Sequence, residues 1–173
     1  MPEMSTMMAS KKPKPVTVER NCSTFTSIEN KTPCNVLYKQ GETIKVSIVA
    51  PQDQTDKINT YVENGVLVIE MEDNTFIKDT KNVKINVESP SLESVSIAGS
   101  GNITVQSPLN TSGKDLSVSV KGSGIIKTKK VECNEITANI SGSGNVEIDE
   151  LQASSAQVEV NGSGNVEYNG MKI

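Results

Sequence analysis

SVSVKGSGIIKT (residues 117–128), TANISGSGNVEI (137–148) and AQVEVNGSGNVEY (156–168) are three versions of one text, and a fourth, SVSIAGSGNITV, stands ahead of them at 94–105. The tripeptide Gly-Ser-Gly begins at Gly99, Gly122, Gly142 and Gly162, so the spacings are 23, 20 and 20 residues. Aligned every 20 residues, the flanking positions agree in chemistry. Leu116, Ile136 and Ala156 form one column, followed by Val118, Ala138 and Val158, then Val120, Ile140 and Val160. Beyond the glycines come Ile126, Val146 and Val166, then Thr128, Ile148 and Tyr168, then Val131, Leu151 and Met171. Every column is apolar apart from Thr128, and polar residues alternate between them, which is the period of strands with one buried face.

Columns that repeat in phase imply stacking of successive coils. A coil of this length holds two strands of about six residues and two turns, with neighbouring coils about 4.8 Å apart. One coil cannot bury its apolar face alone; a stack of them makes a continuous core. The expected fold is therefore all-β, a single-stranded β-helix or solenoid. An antiparallel meander with each GSGN as a hairpin turn is the alternative, but it has no need of matching columns. Strand parity carried through the corner puts Gly122 and Gly124 on the inward side, where a Cβ would strike the facing strand. By the same reasoning Gly99, Gly101, Gly142, Gly144, Gly162 and Gly164 are structural turns. Asn102, Asn145 and Asn165 follow the motif and suit an amide ladder, which Ile125 interrupts. On the outward side Lys127 falls beside Glu147 and Lys129 beside Asp149, while Glu147 and Glu167 share a column.

The first half is β-rich in a different register. TIKVSIVAP (43–51) and VLVIEM (66–71) have strand character, and Glu63-Asn64-Gly65 between INTYV and VLVIEM is a hairpin signal. Residues 16–90 are expected to cap the stack formed by 91–173, giving one domain over 16–173 behind a disordered tail, 1–15. The basic residues Lys11, Lys12, Lys14 and Arg20 are assigned to that tail and its edge.

Composition narrows the chemistry. Net charge is −4 with a pI near 5.0, which offers no positive field for nucleic acid. There is no histidine, and Cys22, Cys34 and Cys133 form no CxxC pair, so neither a zinc site nor any other metal or cofactor site is expected. The thiols are read as free and partly buried. No segment is long and apolar enough to span a membrane, and the first residues contain no secretory apolar run. GSGN lacks the GK[ST] of a phosphate loop, and the repeats lack the Asp of calcium-binding GGxGxD. Glu147, Asp149 and Glu167 are the only candidate carboxylate cluster for glycan hydrolysis, and Tyr168 is the only aromatic platform near them, so no catalytic residue is assigned.

The run VERNCSTFTSI, GETIKVSIVAP, INTYVENGVLVIEM, VESPSLESVSIAGSGNI and the recurring SGSGNV resembles the head GIN domain of putative auto-transporter adhesins, over roughly residues 18–170. That domain is common in exported proteins of Bacteroidetes. The resemblance implies a pectin-lyase-like single-stranded β-helix with GSG turns and no catalytic residues. It also implies export to the periplasm, outer-membrane surface or exterior, and a role in adhesion. The chain departs from the family in having about four GSG coils and no signal peptide. The leading expectation is a non-enzymatic surface module for adhesion or scaffolding, with a glycan or protein on a host or neighbouring cell as partner. The alternatives are a self-assembling structural element that forms a homo-oligomer through the apolar end at Val166, Tyr168 and Met171, and a polysaccharide-processing enzyme.

Overall fold

The computed structural model describes residues 14–170. Its strands are β1 (Pro15–Arg20), β2 (Ser27–Asn30), β3 (Asn35–Gln40), β4 (Lys45–Pro51), β5 (Ile58–Glu63), β6 (Val66–Met71) and β7 (Lys84–Ser89) in the first half. β8 (Ser94–Gly99), β9 (Asn102–Val105), β10 (Leu109–Asn110), β11 (Leu116–Gly122), β12 (Ile125–Gly142), β13 (Asn145–Gly162) and β14 (Asn165–Tyr168) make the second. A four-residue helix, α1 (Gln52–Thr55), joins β4 to β5. The fold is all-β, and its 14 strands form one sheet that wraps into a nearly closed, barrel-like wall.

The wall has two long sides. One runs β5, β6, β2, β8, β11 and the last residues of β12 and β13; the other runs β1, β4, β7, β3, β9, the first residues of β12 and β13, and then β14. In the GSG half every pairing is parallel and in register. Leu116 pairs with Ile136, Val120 with Ile140, Ile126 with Val146, Ile148 with Tyr168 and Val131 with Leu151, so the columns read from the repeat are hydrogen-bonded neighbours. Parallel pairing rules out the hairpin meander. β12 and β13 each run for 18 residues, but the ladder between them skips Lys129 with Asp149 and Asn134 with Ser154, so each coil is interrupted at two places besides the glycines. Between the sides lie Val95, Ile97, Val118, Val120, Ile126, Ile140, Val146 and Leu151, all essentially inaccessible. Each such side chain contributes roughly 1.5–3 kcal/mol on full burial. Thr128 shares this interior with its hydroxyl unpaired.

The first half does more than cap the stack. β2 pairs in parallel with β8 (Ile28 with Val95), and β3 pairs with β9 (Val36 with Ile103), so residues 27–40 are one more coil of the same kind. β6 and β7 lie parallel on the far side of that coil. The early coil is thus held between two pieces of chain that follow it. For residues 27–40 the expectation of a different register is corrected, because they pair in register with β8 and β9 and only the corner differs. Cap geometry begins one layer further out, where β4 and β5 run antiparallel to β7 and β6 and β1 runs antiparallel to β4. Asn64 and Gly65, both at positive φ, close the β5–β6 hairpin that the Asn-Gly pair predicts.

β1 starts at Pro15, inside the span assigned to the tail, while residues 1–13, with Lys11 and Lys12, lie outside the described residues. Arg20 is part of the fold: its guanidinium donates to the carbonyls of Thr55 and Ile58, at 2.9 Å each, and ties β1 to the chain leaving α1.

Candidate functional site

The Gly-Ser-Gly positions form a ladder along one edge of the stack, each lying where β8, β11, β12 or β13 ends and the other side begins. The two glycines of each motif differ. Gly99, Gly122, Gly142 and Gly162 have φ of +139°, +119°, +123° and +128°, a region open to glycine and costly for other residues. Gly101, Gly124 and Gly144 are the buried members, and Gly164 is half-buried. The expectation that both glycines point inward is therefore corrected. Positive φ at the first glycine breaks the strand alternation and turns it outward.

What a Cβ would strike is the coil beneath, not the facing strand. Added to Gly122, Gly142 or Gly162 it would overlap the carbonyl of Gly99, Gly122 or Gly142. Added to Gly124, Gly144 or Gly164 it would overlap the carbonyl of Gly101, Gly124 or Gly144, and would also meet Ile97, Val120 or Ile140. Those carbonyls accept from the next coil: Ser143 and Gly144 N–H donate to Gly122 (3.0 Å each), Ser163 to Gly142 (3.0 Å) and Asn165 to Gly144 (3.2 Å). Amides that a phosphate loop would present are thus already engaged. Asn35 joins the asparagine column: Asn102 Nδ2 donates to its Oδ1 at 2.9 Å, and Asn102 Oδ1 accepts the Ile125 N–H at 3.0 Å.

At the corner of the early coil side chains replace glycine. Asn30 is fully buried; its Nδ2 donates to the carbonyls of Cys34 (3.0 Å) and Asn102 (3.2 Å). Its Oδ1 accepts from the Thr32 N–H (2.9 Å) and the Thr32 hydroxyl (2.7 Å), and Thr32 Oγ1 accepts from the Cys34 N–H (3.2 Å). Gly101 packs directly on this network, with no room for a Cβ against Thr32 O and Cys34 O. Nothing in the text of residues 30–34 repeats the glycine motif, so the repeat could not reveal this corner.

The carboxylates do not converge. Lys127, Glu147 and Glu167 follow one another in one outward column, while the ion pairs formed nearby are Lys130–Glu132 (3.4 Å) and Lys114–Glu93 (3.8 Å). Among the described residues no three His, Cys, Asp or Glu side chains are grouped to hold a metal ion. Burial pushes the Cys34 and Cys133 thiols up to about 11, against a partial opposing effect of the Thr32 hydrogen bond on Cys34 and reinforced by Asp115 for Cys133. Burial also raises Cys22, opposed by Arg20. Thiols of that acidity carry little thiolate at neutral pH and are poor nucleophiles.

Two surface features escaped the repeat-based reading. A cleft of about 490 Å³ lies beside α1, walled by Pro15, Pro51, Gln54, Lys78 and Asp79. Three of the five aromatic residues are exposed. Phe76 is 67% accessible with Lys57 Nζ 5.7 Å from its ring centre, and Tyr61 donates to Glu70 at 2.9 Å; Tyr168 lies on the last strand.

Comparison with known proteins agrees with this geometry. The family described as putative auto-transporter adhesin, head GIN domain, matches residues 24–172. No curated protein matches. Among solved structures, a putative adhesin from Parabacteroides distasonis superposes with a TM-score of 0.83 at 20% identity, over 92% of this chain and 66% of the other. The chain thus spans about two thirds of that protein's length. A putative adhesin from Bacteroides fragilis gives 0.58 at 16% identity, covering 91% of this chain and 98% of its own. A protein from Parabacteroides distasonis described as a putative lipid binding protein gives 0.61 at 17% identity, covering 89% and 97%. At such identities the likeness is one of fold.

Proposed function

Because the chain belongs to the family of putative auto-transporter adhesins with a head GIN domain, we propose that it is a non-enzymatic module of the cell envelope, exported and used in adhesion or surface scaffolding. We read its GSG half as a β-solenoid of the pectin-lyase type, with the eight glycines from Gly99 to Gly164 as its structural corners. In-register parallel pairing every 20 residues supports that reading.

The observation that carries the functional reading is the character of the outer walls. Ser94, Ser117, Thr137 and Gln157 form one outward row, and Ser96, Ser119, Asn139 and Glu159 the next, each advancing one coil at a time. Strand spacing sets such rows about 4.8 Å apart. A regular polar surface on a rigid core suits contact with an extended glycan or protein. Among the described residues no helix is long and apolar enough to cross a membrane.

Arrays of glycans and extracellular-matrix proteins probed with the purified chain test the proposal. Salt-tolerant, saturable binding to members of one class is expected. A blank across both arrays, or turnover of a polysaccharide abolished by Glu147→Gln, overturns it.

A further inference from the structure

We infer that the open end of the stack, formed by the last residues of β13 and by β14, is a docking rim for a basic β-strand of another protein, one that alternates apolar residues with lysine or arginine. The inference deepens the adhesive reading and rests on it only in making the strand a foreign one.

Among the described residues the rim is open on three counts. Its backbone is unpaired: residues 156–162 of β13 bond only to β12, and β14 bonds only to β13. Its apolar columns are uncovered. Val158 and Val160 are 46% and 36% accessible, against 2% and 1% for Ala138 and Ile140 one coil inward, and Tyr168 is 38% accessible against 3% for Ile148. Its edge also lacks the usual protection, since residues 156–168 contain neither lysine nor proline.

Charge says what covers it. Residues 145–170 carry Glu147, Asp149, Glu150, Glu159 and Glu167 and no basic residue. The strand beneath, β12, carries Lys127, Lys129 and Lys130 together with Glu132 and Glu135. Glu147 therefore has Lys127 on one side and Glu167 on the other. Like charges directly across neighbouring strands repel, and an opposite charge in the next place relieves them. A strand with lysine at the Glu159 and Glu167 columns and valine or isoleucine between would extend both the polar and the apolar columns. Strand addition of this kind takes affinity from main-chain hydrogen bonds and selectivity from alternate side chains.

A second copy fits poorly from either direction. Rim against rim, it would bring two acidic edges together. Its other end offers β1, where Pro15 lacks an N–H and Glu19 is exposed, and β5, which closes on Glu63.

The test uses the whole chain and two short amidated peptides, one alternating valine with lysine and one alternating valine with glutamate. Backbone amide NMR and hydrogen exchange locate binding, and thermophoresis at two salt concentrations measures it. The lysine peptide is expected to bind, to perturb and protect amides of residues 156–168, and to weaken with salt. The double variant Glu159→Lys with Glu167→Lys, on exposed positions that leave thermal unfolding unchanged, should lose about tenfold in affinity for the lysine peptide and gain for the glutamate peptide. Overturning results are no binding by the lysine peptide, perturbation centred elsewhere, an unchanged preference in the double variant, or a stable dimer of the unmodified chain that protects the same amides. Blank glycan and matrix arrays with a bound lysine peptide would remove the ligand class proposed above and leave the rim standing.

Discussion

At Gly122–Gly124 the chain passes from one side of the wall to the other with no side chain at the bend except an outward serine, whereas at Asn30–Cys34 it makes the same crossing with a buried asparagine, a threonine and a proline. The glycine corner brings successive backbones so close that a carbonyl occupies the space of a Cβ. The asparagine corner keeps its side chain and spends every polar atom of it on the backbone of its own coil and the next. The first solution repeats without limit because each glycine fits on another glycine. The second fits at one place, against Gly101. Repetition in sequence thus records corners that are all alike, and it is silent about an equivalent corner made to measure.

Substitutions at the two corners should fail differently. Gly144→Ala places a methyl against Gly124 O and, at 2.5 Å, Val120 Cγ1. A loss of about 3 kcal/mol or more is expected in urea unfolding. Gly113→Ala is the control: its φ is +82° with open space around it, so it should lose only about 1 kcal/mol. Equal losses at the two would mean that backbone conformation, not stacking, demands the motif.

Asn30→Ala removes the side-chain bonds to the carbonyls of Cys34 and Asn102 and to the Thr32 N–H, while Cys34 O keeps the Asn102 N–H. About 2 kcal/mol should be lost, with faster hydrogen exchange in β2, β3 and β9 and little change in β13. Uniform loosening across the chain would erase the distinction between the corners.

Two thiols report one on each region. Cys34 sits in the asparagine corner and Cys133 in a GSG coil, and each is raised from 9.0 to about 11 by burial. A folded-state value above the unfolded one favours the protonated thiol, so this contribution is complete below pH 9 and declines as pH rises through 11. Under reducing conditions stability should fall across that window. Cys34→Ala and Cys133→Ala should each flatten part of the slope, and an unchanged slope in both would break the assignment. The smallest effect is expected from Tyr38→Phe. Its hydroxyl lies 3.1 Å from the carbonyl and 2.7 Å from the hydroxyl of Ser89, linking β3 to the end of β7. About 1 kcal/mol should be lost, confined by hydrogen exchange to those two strands.

The columns from Leu116 to Tyr168 were legible because a repeat in phase with the coil puts like residues on like positions. Residues 27–40 were not, since their partner coil begins 67 residues later and their corner shares no residue with it. Tyr38 and Arg20 also act through contacts remote in sequence, with Ser89 and with Thr55 and Ile58. At the glycines the positions were readable and the orientation was not: parity counting assumes extended backbone, and positive φ at the first glycine cancels it. The open acidic rim was half visible. Its apolar ends could be counted, but Met171 lies outside the described residues, and the accessibility of Val158 and Val160 appears only when the stack is assembled.

The interleaved placement of β2 and β3 sets an order of events for the growing chain. Their neighbours on one side end at Ser89 and on the other at Val105. Residues 27–40 therefore leave the ribosome before either side is complete: 49 further residues finish one side and 65 finish the other. Closing such long loops is slow and leaves edges open to misassembly. From Leu116 onward each new coil lands directly on the one just finished, so the later part of the molecule can extend a template as fast as it is synthesised. The early coil is a keystone made early and set only when the chain on both sides of it exists.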